Sequence, residues 1–346
     1  MPRVKRVPAT AFPTTPLPSS QTVRTWVLVA AGISALICGA CLIGFFAIAP
    51  HWISPKQLLT FGTEGKDPGM LYHATYIGLD AQGNIYIADW NTGHINEFDP
   101  QGKFLKLTQL GDGVTLLGMA VAPDGSLYLS HDGDIHHLLA DGTDTTIEVK
   151  DSNGDRAALI TGIALGPDGG LAASDQDGDI LRFTWRGEPT VVLPKAFDLP
   201  SFSSQNELHS GDAPILSYDV PANSADKEVS VAVDGSGNIY VVGWTIGVVM
   251  KTDSQGGSLS KFGTWATFPG GWERGKFDFP DALAIDSSGR IYVADSSGVQ
   301  IFGPDEKYLY TIRVNNGVDA LALDPQGNIY TVSYPAVVTK FEALQP

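Results

Sequence analysis

The chain has 346 residues, and its 22 Lys and Arg against 38 Asp and Glu give a formal charge of −16. All the acidic residues lie beyond residue 50, where 18 basic residues accompany them, so that region carries a formal charge of −20. Such a region repels nucleic acid and anionic lipid head groups, which excludes nucleic acid as a partner and favours cations or basic ligands.

The N-terminal region is predicted to be a short tail followed by a membrane anchor. Residues 7–20 are rich in Pro, Ser and Thr, which is typical of disordered chain. Residues 26–49 contain no charged side chain, and a helix of that length crosses a bilayer core of about 30 Å. We therefore predict a disordered tail over 1–24, a transmembrane helix over 25–49 and a linker over 50–55.

The orientation of this anchor follows from charge. The four basic residues of the tail all precede the apolar segment; they are Arg3, Lys5, Arg6 and Arg24. The positive-inside rule then places the tail in the cytoplasm and everything after residue 49 outside it. The prediction is a single-pass cell-membrane protein with an extracytoplasmic domain.

A cleaved signal peptide is the alternative for the same segment. Ala47-Ile48-Ala49 resembles a small-x-small cleavage site. The apolar run, however, is longer than the roughly 7–15 residues of a signal-peptide core, and Pro50 would follow the cut. These two features favour an uncleaved anchor.

The rest of the chain is built from a sequence repeat. The six copies are GLDAQGNIYIAD (78–89), AVAPDGSLYLSHD (120–132), ALGPDGGLAASD (164–175), AVDGSGNIYVVG (232–243), AIDSSGRIYVAD (284–295) and ALDPQGNIYTVS (322–333). Each copy reads as an apolar strand, a tight turn containing Gly, and a second strand rich in Ile, Val and Tyr. The copies recur at intervals near the roughly 40–50 residues of a four-stranded propeller blade.

Six repeats predict an all-β fold, a six-bladed β-propeller over residues 56–346. The last repeat leaves room for only three strands before the C-terminus. Residues 57–62 resemble residues 260–263, the outer strand of the fourth blade. Strand 56–61 is therefore predicted to complete blade 6 and to close the ring, which removes exposed sheet edges.

Two of these segments carry a family resemblance. NIYIADWNTGHINEFDPQGKFL and RIYVADSSGVQIFGPDEKYL, each preceded by a GLD or AID strand, resemble NHL repeats. The resemblance covers about residues 56–344 and implies a bacterial-type, membrane-anchored propeller of the NHL class, a class that commonly binds other molecules without catalysis. Blades 2 and 3 diverge from the pattern, and blade 3 has Ala172 where the other blades have Tyr.

The two faces of the predicted propeller differ in loop length. The turns between the first two strands of each blade are minimal, whereas several connections between blades are long and emerge on the opposite face. The long connections are residues 62–74, 150–161, 194–228 and 263–280. Insertions gathered on one face of a repeat protein often mark its binding face.

The residues just before each first strand are predicted to ring the mouth of the central channel. They are Thr75, Leu117, Thr161, Val229, Asp281 and Asp319. Asp281 and Asp319 come from adjacent blades and, with nearby His73, form a candidate site for Ca²⁺ or Zn²⁺. In the alternative interpretation the two aspartates cap backbone amides of the loops, and the channel holds no cofactor.

A second set of residues is predicted to line the rim of the same face. In each repeat they lie four positions after the residue equivalent to Tyr86. The candidate ligand-binding residues there are Trp90, Asp132, Gln176, Trp244 and Tyr334. Aromatic rings around one rim can stack on a sugar or on a peptide side chain. In the alternative they pack beneath the long loops.

Two functional hypotheses follow, and no catalytic residue is predicted because no nucleophile or metalloprotease motif is present. The first is a tethered, non-catalytic module that binds a protein, peptide or glycan outside the cytoplasm through the long-loop face. The second is suggested by the similarity to six-bladed lactonases and amidating lyases. It implies a metal-dependent enzyme with its site at the channel mouth, for which only His73, Asp281 and Asp319 match the expected ligand types.

Overall fold

The structure is a computed structural model that describes residues 52–90, 92–111, 113–150, 154–157, 159–193, 229–243, 247–267 and 273–345. Throughout these ranges the regular elements are β-strands, as the repeat predicts. No helix among the described residues is long and apolar enough to span a bilayer, and the predicted anchor, residues 25–49, lies outside them.

The strands are, in chain order, β1 (Trp52–Ile53), β2 (Gln57–Phe61), β3 (Ala74–Leu79), β4 (Ile85–Asp89), β5 (His94–Phe98), β6 (Phe104–Gln109), β7 (Gly118–Val121), β8 (Leu127–His131), β9 (Asp134–Leu138), β10 (Asp144–Ile147), β11 (Ile160–Leu165), β12 (Leu171–Asp175), β13 (Ile180–Phe183), β14 (Pro189–Leu193), β15 (Val229–Val233), β16 (Ile239–Gly243), β17 (Val249–Thr252), β18 (Ser258–Phe262), β19 (Thr264–Trp265), β20 (Lys276–Phe277), β21 (Ala282–Ile285), β22 (Ile291–Asp295), β23 (Gly298–Phe302), β24 (Tyr308–Arg313), β25 (Ala320–Leu323), β26 (Ile329–Ser333) and β27 (Val337–Phe341).

These strands form six antiparallel sheets, so the chain is a six-bladed β-propeller. Blade 1 is β3–β6, blade 2 β7–β10, blade 3 β11–β14, blade 4 β15–β18, blade 5 β21–β24, and blade 6 β25–β27 with β2. We name the four strands of each blade a to d, from the inside outward. The a strands of neighbouring blades contact one another and surround a central channel.

Blade 6 takes its outer strand from the start of the domain. Gln57–Phe61 pairs antiparallel with Val337–Phe341, so the first and last parts of the propeller share one sheet. Residues Trp52–Ile53, within the stretch that the sequence assigns to a linker, pair parallel with strand d of blade 5 as a short fifth strand. This short strand is an addition that the repeat pattern does not predict.

Burial explains the apolar composition of the second strand in each repeat. Every residue of strand b is buried in all six blades, which matches its content of Ile, Val, Ala and Tyr. Six apolar clusters then join each blade to its neighbour, and one of them packs Ile77 and Ile87 of blade 1 against Tyr330 and Val332 of blade 6. The ring is therefore closed by side-chain packing as well as by strand pairing.

Strand direction gives the propeller two distinct faces. The a–b and c–d turns lie on one face, which we call the short-turn face. The b–c turns and the connections between blades lie on the other, the long-loop face. In blade 5 the preceding connection contains the small parallel pair β19 and β20, and Glu273 holds it by accepting a hydrogen bond from the Thr267 N–H at 2.8 Å.

Candidate functional site

The central channel is narrow and partly polar. A cavity of about 130 Å³ runs between the a strands, and its lining includes the polar residues Thr75, Tyr76, Thr161, Ser230 and Asp281. This volume is below the roughly 300 Å³ of a typical small-ligand pocket. It can therefore admit a single side chain or a few waters, and a larger ligand must rest on the mouth.

Two ionisable groups, Asp319 of blade 6 and His73 of blade 1, interact at this mouth. Burial raises the pKa of Asp319 to about 6, and a hydrogen bond from the Tyr334 N–H and the charge of His73 only partly offset that effect. The backbone N–H of Asp319 donates to the Val332 carbonyl oxygen at 2.8 Å, which fixes the residue at the start of strand a. A positive charge placed beside a carboxyl group held in this way stabilises its ionised form.

The predicted metal set does not form a metal-binding group. Among the described residues no three His, Cys, Asp or Glu side chains are arranged to hold a metal ion. Asp281 is exposed and lines the channel, whereas the His73 ring packs edge-on against Tyr72 at 4.4 Å between centroids. Leu117 and Val229 occupy two further ring positions with side chains that have no donor atom.

The backbone at the mouth adopts an unusual conformation in three adjacent blades. His73 of blade 1 and Phe279 of blade 5 have φ of 54° and 52°, and the equivalent Gly317 of blade 6 has φ of 75°. Only Gly adopts this left-handed region freely, and another residue held there stores about 1 kcal/mol or more of strain. Strained residues of this kind cluster at functional sites.

Exposed aromatic side chains surround the same sector. Phe279 is 42% exposed and Tyr334 is 59% exposed. Trp265, 38% exposed, meets Phe279 edge-to-face with 6.2 Å between ring centroids. Exposed rings that already have a fixed neighbour lose little entropy on contact with a ligand, which suits them to recognition.

The predicted rim residues have different environments. Trp90 is half-buried, and its backbone N–H donates to the His73 carbonyl oxygen at 3.4 Å. Asp132 and Gln176 are exposed on blades 2 and 3, and Asp132 also has a left-handed φ of 53°. Trp244 lies outside the described residues. Of this set, Tyr334 and Trp90 therefore lie in the sector with Asp319 and His73.

Buried aspartates at the ends of strand b hold the loops of this face. Asp89 accepts hydrogen bonds from the Tyr72 N–H and the Thr92 hydroxyl, beside His73. Asp295 accepts from the Ser297 N–H at 2.8 Å and from the Gln300 side chain at 2.9 Å. Burial raises the pKa of each of these two carboxyls to about 6.

Sequence reasoning did not single out Phe279 or Trp265. Phe279 stands two positions before Asp281, as His73 stands two positions before Thr75, so the repeat alignment contains the signal for it. Trp265 lies in the long connection before blade 5, where the repeat pattern gives no register.

Comparisons with known proteins support the fold. A family model described as a β-propeller repeat matches residues 225–248. A search of curated protein sequences finds no match. The similar solved structures have sequence identities at which likeness speaks for the fold alone.

Three of these structures illustrate the similarity. A protein described as a putative gluconolactonase has a TM-score of 0.59 at 13% identity, over 86% of this chain and 100% of that one. A gluconolactonase from Xanthomonas campestris has a TM-score of 0.54 at 15% identity, over 85% and 97% of the two chains. A catalytically inactive virginiamycin B lyase from Staphylococcus aureus with quinupristin has a TM-score of 0.54 at 13% identity, over 86% and 96%.

Proposed function

We propose that this propeller is a non-catalytic binding module, tethered to the cell membrane by residues 25–49 and held outside the cytoplasm. Its ligand is a protein or peptide that presents a basic side chain to the channel mouth on the long-loop face. The formal charge of −20 beyond residue 50 steers such a ligand toward the domain at long range.

The main observation in support of this proposal is the composition of one sector of that face. Blades 5 and 6 are adjacent, and together they supply the carboxyl groups of Asp281 and Asp319 and the exposed rings of Phe279 and Tyr334, with blade 1 as the next blade of the ring. A Lys or Arg side chain can place its cationic head between carboxylates and its apolar stem against aromatic rings. The narrow channel below admits one side chain and excludes the rest of the ligand.

The metal-dependent lactonase or lyase is the second candidate, and the similarity of fold to enzymes of those two names favours it. The donor set fits it poorly, because the ring positions of blades 2 and 4 are Leu117 and Val229 and the described residues contain no three-ligand group. Elemental analysis with calcium and zinc titrations distinguishes the two functions. A stoichiometric metal that is lost in the Asp281→Ala/Asp319→Ala double variant favours the enzyme.

The binding function is tested by selection from a random peptide display library against the full chain. We expect the enriched peptides to contain Lys or Arg next to an aromatic residue. Their affinity should fall about tenfold in Asp281→Asn and in Asp319→Asn, which is about 1.4 kcal/mol for each carboxylate contact.

The matched control is Asp305→Asn, which removes an equal charge from an exposed turn of blade 5 on the short-turn face. It should leave the affinity within about twofold. Selected peptides that bind all four proteins equally would show attraction to the overall charge only, and the proposal would then be rejected.

The tether is tested separately with a tag at the C-terminus. Residues 25–49 predict that the intact chain stays in the membrane fraction after alkaline extraction and keeps its N-terminal residues. Release of a shorter chain that begins at or after Pro50 would instead support a cleaved signal peptide.

A further inference from the structure

A second cavity lies on the opposite side of the propeller, in the divergent blade 3. It is a cleft of about 300 Å³ between the a–b turn and the c–d turn of that blade. Its lining consists of residues 168–170, 182–186, 188 and 190. Both turns belong to the short-turn face, so the cleft is separate from the channel mouth.

The cleft follows from the way in which blade 3 departs from the repeat. Where other blades have a Tyr that contacts the a–b turn, blade 3 has Ala172, whose cross-strand partner is Arg182. The Arg182 guanidinium reaches the turn instead, and it donates to the Asp168 carboxylate at 2.8 Å and to the Gly237 carbonyl oxygen at 2.9 Å. The Arg182 side chain is only 13% exposed, so this polar wall is already ordered before any ligand arrives.

The opposite wall carries an exposed indole. Trp185 lies in the c–d turn and keeps 53% of its surface exposed. The Arg186 guanidinium lies over this ring at 4.6 Å from its centroid. The Thr184 hydroxyl oxygen accepts hydrogen bonds from the backbone N–H groups of Arg186 and Glu188 at 3.3 Å each. These bonds fix the turn that presents the indole.

The polar groups of the lining identify a class of ligand. Two guanidinium groups, of Arg182 and Arg186, are balanced by two carboxylates, of Asp168 and Glu188, so the cleft has no net formal charge. The cleft therefore presents hydrogen-bond donors and acceptors together, beside the exposed indole of Trp185. Sugar hydroxyls both donate and accept, and the C–H face of a pyranose ring stacks on an indole.

We propose that this blade 3 cleft is a binding site for a neutral carbohydrate, of about one or two pyranose rings. The volume agrees with the lower end of the range for small-ligand pockets, roughly 300 Å³. An acidic ligand is disfavoured by the two lining carboxylates, and a cationic ligand by the two guanidinium groups.

The experiment measures binding of cellobiose, maltose and diacetylchitobiose to the full chain in a zwitterionic detergent, which avoids competition from sugar head groups. Saturation-transfer NMR and calorimetry provide the readouts. At least one of these disaccharides should bind, and Trp185→Ala should weaken it by about tenfold or more.

The structure offers a closely matched control in Trp52, on the outer wall of blade 5. This ring is also 53% exposed and also lies beneath an arginine, with the Arg313 guanidinium 5.4 Å from its centroid, but it does not line the cleft. Trp52→Ala should leave sugar binding unchanged. Equal losses in both variants, binding of none of the three disaccharides, or binding of glucuronate in preference to all of them would overturn the proposal; unchanged melting temperatures verify that both variants are folded.

Discussion

Four of the six blades close the turn between their first two strands with the same hydrogen-bond network, whereas blades 2 and 3 use other contacts. In blades 1, 4 and 6 an Asp accepts two backbone N–H groups, the side-chain amide of an Asn and the hydroxyl of a Tyr; the Asp residues are Asp80, Asp234 and Asp324. Blade 5 replaces the Asn by Arg290, whose guanidinium donates to Asp286 at 2.7 Å.

The divergent blades lack this Asp and hold the turn by other contacts. In blade 2 the Asp124 carboxylate accepts only the N–H and hydroxyl of Ser126, and His137 stacks on Tyr128 with 4.2 Å between ring centroids. In blade 3 the network is replaced by Arg182 and Asp168. The repeated network therefore specifies the fold, and where it is relaxed the side chains become available to line a cleft.

The largest expected effect is the loss of one complete turn network. Asp324→Ala leaves the backbone N–H groups of Gln326 and Asn328 without their acceptor and removes the partner of Lys340, 3.2 Å away. We expect the free energy of unfolding to fall by about 3 kcal/mol, measured by urea denaturation.

The matched change in a divergent blade is Asp124→Ala, for which we expect a loss of about 1 kcal/mol because only contacts to Ser126 are removed. Equal losses in the two variants would mean that the network of blade 6 is no more important than the local turn of blade 2.

The next effect concerns a buried carboxyl group and depends on pH. Asp89 is fully buried with a pKa raised to about 6, so the folded chain binds its proton more tightly than the unfolded chain does. The stability that this proton provides is lost as pH rises through about 6, which amounts to about 2–3 kcal/mol at neutral pH.

Asp89→Asn keeps an acceptor for the Tyr72 N–H and avoids the buried charge. The variant should therefore be more stable than the wild type at pH 7.5, and the difference should shrink at pH 5. A difference that stays constant over this range would refute the assignment of the buried charge to Asp89.

A smaller effect is expected from the strained backbone of the mouth. His73→Gly relieves a φ of 54° and should raise the free energy of unfolding by about 0.5–1 kcal/mol. Gly317→Ala is the converse control and should lower stability, because Gly317 has a φ of 75° and an added Cβ would lie 3.2 Å from the Ser296 Cα.

Local patterns made much of the fold predictable. The Asp-x-x-Gly turns and the Ile-Tyr strands have the same meaning in blades 1, 4, 5 and 6, and the outer strand contributed by residues 57–61 carries a sequence likeness to residues 260–263. The added strand Trp52–Ile53 has no such signal, because a two-residue parallel pairing depends on where blade 5 happens to present its outer edge.

The site was less predictable, since it depends on loop conformation. Alignment placed Asp281, Asp319 and His73 at the mouth, but the direction of the His73 ring follows from its left-handed backbone and from its contact with Tyr72. Phe279 has the same backbone conformation and is also exposed. The repeat pattern specifies strands and does not encode such conformations in the connections between blades.

The central claim is that blades 5, 6 and 1 form the binding surface, and hydroxyl-radical footprinting of the full chain with a selected basic peptide tests it most directly. The account predicts that the peptide protects Phe279 and Tyr334, while Trp185 and Leu259, which are exposed on other blades, react at unchanged rates. Protection of Trp185 or Leu259 with no change at Phe279 and Tyr334 would contradict it.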